Sequence, residues 1–212
     1  MMWLVVGFVV FFLFKAGSNK SLVPSKIQSL AEILVDFIRG IIKDTMGDAG
    51  MKYLPLIISL FLFILFSNLL GLIPGSYTIT SQIVVTGVFA ICMYSLSLLI
   101  GFKLHGPKFL GMLLIPSGTP GPMIPLMILI EIISQIARPV SLAVRLFANM
   151  TAGHVILGVL FGLTIAGGVL IGWLPFSFTI ALYGLEFGIA FIQAYIFTIL
   201  ACVYMGDALH PH

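Results

Sequence analysis

The chain has 212 residues, of which 60% are hydrophobic and only 8% charged, and its mean hydropathy is +1.22. Soluble globular chains run near 45–50% apolar and about 25% charged, so a cytosolic enzyme, a secreted disulfide scaffold and a disordered chain are all excluded. Long uninterrupted apolar runs also exclude an outer-membrane barrel, whose strands alternate apolar and polar residues. An all-α polytopic membrane protein is expected. The sequence pI near 9.0 does not point to a nucleic-acid partner, because the basic residues are thinly spread and follow membrane topology.

The first apolar run, 1–14, carries no basic n-region or A-x-A cleavage site and so does not read as a signal peptide. At 1.5 Å per residue it reaches roughly 21 Å, short of a hydrocarbon core of about 30 Å. It reads as an incomplete or a tilted first span. Segment 25–46 differs in kind. Ile27, Leu30, Leu34, Phe37, Ile38, Ile41 and Ile42 recur at three- and four-residue spacing opposite Gln28, Glu32, Asp36, Arg39 and Lys43. Ser25 with Gln28 forms a capping box, and Gly47 follows the last turn. This predicts an amphipathic helix that lies in the membrane interface or docks against partner subunits.

Segments 54–73 and 79–102 are full spans, joined into a hairpin by the uncharged turn 74–78. Beyond residue 109 the sequence is almost continuously apolar. It divides into two long helices, 123–165 and 175–205, with a glycine-rich, uncharged connection at 167–173. The expectation is a single membrane domain of about five membrane helices plus one interfacial helix, its last two helices forming a long tilted hairpin. Lys15, Lys20, Lys26, Arg39, Lys43 and Lys52 fall between the first and second spans, and Lys103 and Lys108 between the third and fourth. The positive-inside rule puts these loops and the C-terminus on the inner side, and the N-terminus outside.

Between residues 109 and 206 the formal charges are Glu131, Arg138, Arg145 and Glu186, with His154 titratable. A charge at a helix centre costs about 2.5–3.5 kcal/mol even on the insertion scale, so each calls for a reason. Arg138, beside Pro139 near the inner end, is compatible with snorkelling or structural pairing, and Glu131 with a structural ion pair. Arg145 lies too deep for snorkelling. Glu131, Arg138 and Arg145 are seven apart and share a helix face with Gln135 and Asn149, while Tyr183, Glu186 and Gln193 form a stripe on the last helix. Folding the hairpin about position 170 sets His154 and Glu186 at similar depth, where they could pair. The same fold puts Arg145 within a turn of Gln193. Glu131 then lies about 21 Å inward of Arg145, and His154 about 14 Å outward. Titratable groups at two depths around a fixed cation suggest two offset half-pathways with a barrier between them. Arginine suits that barrier because it does not deprotonate.

Other features carry less. Gly17 to Ser21 resembles the end of a P-loop, but Asn19 stands where glycine is required and no strand precedes it. Gly158/Gly162, Gly168/Gly172 and Gly184/Gly188 are helix-packing pairs. His105, His210 and His212 lack a third ligand at useful spacing, and Cys92 and Cys202 read as small buried hydrophobes. No metal or cofactor is expected.

The segment Ser141-Leu-Ala-Val-Arg145-Leu-Phe-Ala-Asn149-Met-Thr-Ala-Gly-His154 closely resembles the signature of the subunit a family of rotary F-type ATP synthases. The resemblance extends to Asn68-Leu-Leu-Gly-Leu-Ile-Pro74, Pro116-Ser-Gly-Thr-Pro120, Glu131-Ile-Ile-Ser, Arg138-Pro-Val-Ser and the stretch from Glu186-Phe to Gln193-Ala-Tyr, from about residue 22 onward. It implies a non-catalytic stator subunit in an energy-transducing inner membrane, against a ring of c subunits and with peripheral-stalk b-type subunits. It also implies that Arg145 faces the ring carboxylate, with Asn149 and Gln193 nearby. His154 and Glu186 would serve an outer half-channel and Glu131 an inner one. Asn68, Gln82, Tyr183 and Arg138 are weaker lining candidates. The order of histidine and acid, with the tail Asp207-Ala-Leu-His210-Pro, resembles the alphaproteobacterial and mitochondrial branch. The first fourteen residues depart from the family pattern, since the usual outer-side extension is lacking. On the residues alone, a proton-coupled secondary transporter and a non-conducting subunit of a respiratory complex remain as rivals. The first predicts an internal repeat, and none is evident.

Overall fold

The computed structural model describes residues 2–18, 26–73, 81–114 and 123–209. These form α1 (Met2–Ser18), α2 (Lys26–Met46), a 3₁₀ segment (Asp48–Tyr53), α3 (Leu54–Gly71), α4 (Ile83–His105), α5 (Lys108–Leu114), α6 (Ile124–Ile171) and α7 (Trp173–Leu209). The chain is an all-α polytopic membrane protein, and its described residues are almost entirely helical. Four of the described helices are long and apolar enough to cross a membrane, and the apolar helix Met2–Lys15 is shorter. Four long helices and a short apolar first helix match the expected five, the first of them short.

Other expectations shift at their edges. α1 continues past residue 14, because Lys15 to Ser18 extend the helix beyond the apolar run. α6 continues past 165, and α7 starts at Trp173 and runs beyond 205 to Leu209. The 3₁₀ segment and α5 have no counterpart in the sequence reading. The turn 74–78, the start of the 79–102 span, Ser25 of the capping box, the motif 116–120, His210 and His212 all lie outside the described residues.

α3 and α6 each begin with a proline in the first turn, where no intrahelical N–H bond is lost. Pro139 stands inside α6, where α4 and α7 pack against the helix. The hairpin reverses at Gly168, whose φ of 55° and ψ of −155° break the helix. A β-carbon is strained in that region, which is why glycine closes the turn.

α7 is the spine of the bundle, since α2, α3, α4 and α6 all pack against it. Phe61 of α3 meets Phe191 of α7 at 6.0 Å, Phe63 meets Phe89 of α4 at 4.9 Å, and Phe8 of α1 meets Phe66 at 4.7 Å. The amphipathic α2 buries Ile38, Ile41, Ile42 and Met46, while Glu32, Asp36 and Arg39 stay exposed. Phe37 lies 5.7 Å from Tyr195, and Thr45 sits against Gly206, so α2 runs alongside α7 in the same direction. Its apolar face is thus docked, in its C-terminal half, on this chain itself. α6 is the least covered span. Only 11% of its most apolar stretch is buried, against 50% for α3. That leaves one long apolar flank of α6 open to lipid or to another membrane protein.

Candidate functional site

The α6–α7 hairpin brings the titratable residues together in two clusters. Three contacts fix its register: Glu186 against Gly153, Asn149 with Gln193, and Arg138 with Asp207. All three pairs are centred close to the reversal at Gly168–Gly172, as antiparallel packing about that turn requires.

The outer cluster is built where α7 passes closest to α6. The Glu186 carboxylate rests directly on the Cα of Gly153, so a β-carbon at 153 would collide with it. His154, half-buried, follows immediately on α6. A cavity of about 150 Å³ opens beside them, lined by Asn149, Gly153, Ile156, Leu182, Glu186 and Ile189 among others. Glu186 Oε2 and Gln193 Nε2 are buried and have no hydrogen-bond partner among the described residues. Buried polar atoms in native structures are nearly always satisfied, so the Glu186 oxygen beside this cavity marks a place suited to water. Asn68 of α3 is fully buried and donates to the carbonyl of Ala190 at 3.4 Å, one helical turn from Glu186. Tyr183 stands half-buried within electrostatic reach of Glu186. Gln82 is exposed at the start of α4, where its carbonyl accepts the Thr86 hydroxyl.

Arg145 lies one turn inward of Asn149. Leu142 and Leu146 are buried and fix the rotation of α6, which leaves Arg145 on the exposed flank. Among the described residues it forms no ion pair. Glu131, Arg138 and Arg145 do not share one environment, since Glu131 and Arg138 pair with each other and Arg145 is exposed. Glu131 and Arg138 turn toward α4 and α7, while Arg145 stays on the rim. Asn149 Nδ2 donates to Gln193 Oε1 at 2.9 Å and ties the flank to α7 just outward of the arginine.

The inner cluster is a hydrogen-bonded network across three helices. Arg138 Nη1 is 3.0 Å from Asp207 Oδ2, and its Nη2 is 3.8 Å from Glu131 Oε1. The guanidinium also lies over the Tyr204 ring, 5.5 Å from its centroid. Gln135 Nε2 donates to Glu131 Oε1 at 2.6 Å, and the Tyr94 hydroxyl of α4 donates to Gln135 Oε1 at 2.6 Å. Arg138 is therefore paired rather than snorkelling. Tyr94 and Tyr204 escaped the sequence reading, and Asp207 entered it only as part of a tail motif. The mirror relation about position 170 places residue 202 opposite Arg138, more than a turn short of Asp207, so it does not find that pair. Nothing in the sequence marks Tyr94. No group of three metal-ligating side chains converges among the described residues.

The model of the family described as ATP synthase A chain matches residues 1–206. A curated relative from Pelagibacter ubique (strain HTCC1062), named ATP synthase subunit a, is 46% identical over 209 residues, covering 98% of this chain and 85% of the relative. Proteins of the same name from Rhizobium etli (strain CIAT 652) and Rhizobium meliloti (strain 1021) are 49% and 47% identical. The first alignment covers 94% of this chain and 82% of the relative, the second 97% and 84%.

Proposed function

The chain belongs to the ATP synthase A chain family and is a proton-translocating stator subunit of the F-type ATP synthase, and on that premise we propose how its two polar clusters carry the proton. The chain forms one multi-pass membrane domain, seated in an energy-transducing inner membrane, and takes no part in the chemistry of ATP itself. The uncovered flank of α6 faces a ring of c subunits, and b-type stalk subunits hold the chain still. A proton enters from the outer side past His154 and Glu186, through the cavity beside Glu186, with Asn68 and Tyr183 near that carboxylate and Gln82 at the outer end of α4. It neutralises a ring carboxylate. The neutral carboxyl then turns through lipid without the cost of a bare charge. After nearly a full rotation it meets the inner cluster and releases its proton toward Glu131, with Arg138 beside it.

Arg145 separates the two routes. An opposite charge within a few Å favours the ionised ring carboxylate, so the carboxylate gives up its proton before it passes the arginine. Asn149 and Gln193 hold the adjoining turn in place. The observation that carries this reading is the position of Arg145: on the uncovered flank of α6, unpaired by any described carboxylate, between the two clusters. The transporter and assembly-subunit readings account for no such residue.

The test is ATP-driven acidification of vesicles holding the whole assembled complex, wild type against Arg145→Ala at matched assembly. Loss of pumping with the complex intact is expected. Unchanged pumping would make Arg145 a structural residue and end this reading.

A further inference from the structure

We propose that Tyr94 is a positioning residue for Glu131, acting through the Gln135 carboxamide, which it anchors by donating to the amide oxygen. The inference rests on the assignment of Glu131 to the inner route.

An ionised carboxylate only accepts hydrogen bonds, whereas a carboxamide offers an oxygen on one side and an NH₂ on the other. Gln135 therefore presents its NH₂ to Glu131, and its buried oxygen needs a donor on the far side. The Tyr94 hydroxyl donates to Gln135 Oε1 at 2.6 Å, and that leaves Nε2 to donate to Glu131 Oε1 at 2.6 Å. The three groups thus form a directed chain from α4 to the carboxylate. Gln135 is buried, so an unmatched orientation is not relieved by bulk water. The Tyr94–Gln135 pair also lines an apolar groove of about 450 Å³ between α4 and α6, with Ile91, Ile136, Pro139 and Val140. Apolar walls on that side leave no competing polar partner for the carboxamide among the lining residues.

Other charges bear on Glu131 from each neighbouring helix. Arg138 stands on its own helix, 3.8 Å away, and Asp207 of α7 shares that arginine at 3.0 Å, beside Tyr204. α5 contributes Lys108 as its one charged residue, and this forms no ion pair with Glu131. None of these touches Gln135 in place of Tyr94, so the hydroxyl has no substitute. Without it the buried Gln135 oxygen loses its donor and the carboxamide is no longer held with its N–H on Glu131, so the ionised carboxylate loses a hydrogen bond. Release to the inner side would need a more alkaline inner side.

The experiment is the inner-side pH dependence of ATP synthesis in vesicles holding the assembled complex, measured for Tyr94→Phe, Gln135→Leu, the double variant and Glu131→Gln. Tyr94→Phe is expected to move the profile toward higher pH by about one unit, the scale of one hydrogen bond to a charged group. Gln135→Leu should move it similarly and the double variant no further, because both break the same chain. A Tyr94→Phe profile that superimposes on wild type, while Glu131→Gln slows synthesis, would overturn the positioning role alone. The same holds if Tyr94→Phe shifts the profile and Gln135→Leu does not. Unchanged synthesis in Glu131→Gln would instead overturn the inner-route assignment on which the proposal stands.

Discussion

Asn149 and Gln193 are joined across the α6–α7 hairpin by a 2.9 Å hydrogen bond, one turn outward of Arg145. Gln193 is almost wholly buried and its Nε2 has no other described partner, whereas Asn149 is exposed on the flank that carries the arginine. A neutral hydrogen bond contributes about 0.5–1.5 kcal/mol, and leaving a buried amide unmatched costs about 1–3 kcal/mol. Gln193→Leu removes both buried amide groups, while Asn149→Leu leaves Gln193 with none of its polar atoms satisfied. Asn149→Leu is therefore expected to destabilise the assembled subunit more than Gln193→Leu, and the double variant less than the sum. Thermal dissociation of the complex measures this. Equal and additive effects would mean that the two amides do not act as a pair.

Gly153 sets the seat of Glu186. The carboxylate rests where a β-carbon would stand, so Gly153→Ala must push Glu186 or α7 away. Overpacking of this kind costs typically about 1–3 kcal/mol. The expected outcome is a slower proton pump in a complex that still assembles, with Glu186→Gln on top adding little. Wild-type pumping in Gly153→Ala would show that the close approach is not needed for conduction.

The Arg138–Asp207 pair is a different case. Its side chains are 28% and 42% exposed, and pairs this open contribute at most about 1 kcal/mol. Asp207→Asn should thus leave assembly nearly unchanged. It releases Arg138 to pair fully with Glu131, so proton release to the inner side is expected to slow. Pumping rates at matched assembly decide the point. An assembly defect without a rate change would make the pair a structural clamp.

Arg145→Lys tests whether positive charge alone is enough. A lysine is a point charge that deprotonates when desolvated, and it lacks the planar fork that grips a carboxylate. Coupled pumping is expected to fall well below wild type. Full pumping would show that any cation serves.

Much of this arrangement was legible in the sequence because membrane cost makes polar residues conspicuous. The stripe from Glu131 to Asn149, the stripe from Tyr183 to Gln193 and the glycines at 167–172 sufficed for the hairpin and its register. What escaped has physical causes. Glu131 and Arg138 are drawn into a cluster by Gln135 and Asp207 while Arg145 stays exposed, which a flat stripe does not convey. Tyr94 is a tertiary partner from another helix, and a lone tyrosine in an apolar span carries no periodic signal. The reversal at Gly168 rather than Gly167 or Gly172 depends on which residue the packed helices force to positive φ.

The central claim is that two half-pathways meet only through the rotating ring and are kept apart by Arg145. It is tested most directly by passive proton conductance of vesicles holding the intact complex without nucleotide, comparing wild type with Arg145→Ala. The account predicts a leak in Arg145→Ala that wild type does not show, abolished by adding Glu186→Gln. Equal conductance with and without the arginine would contradict it.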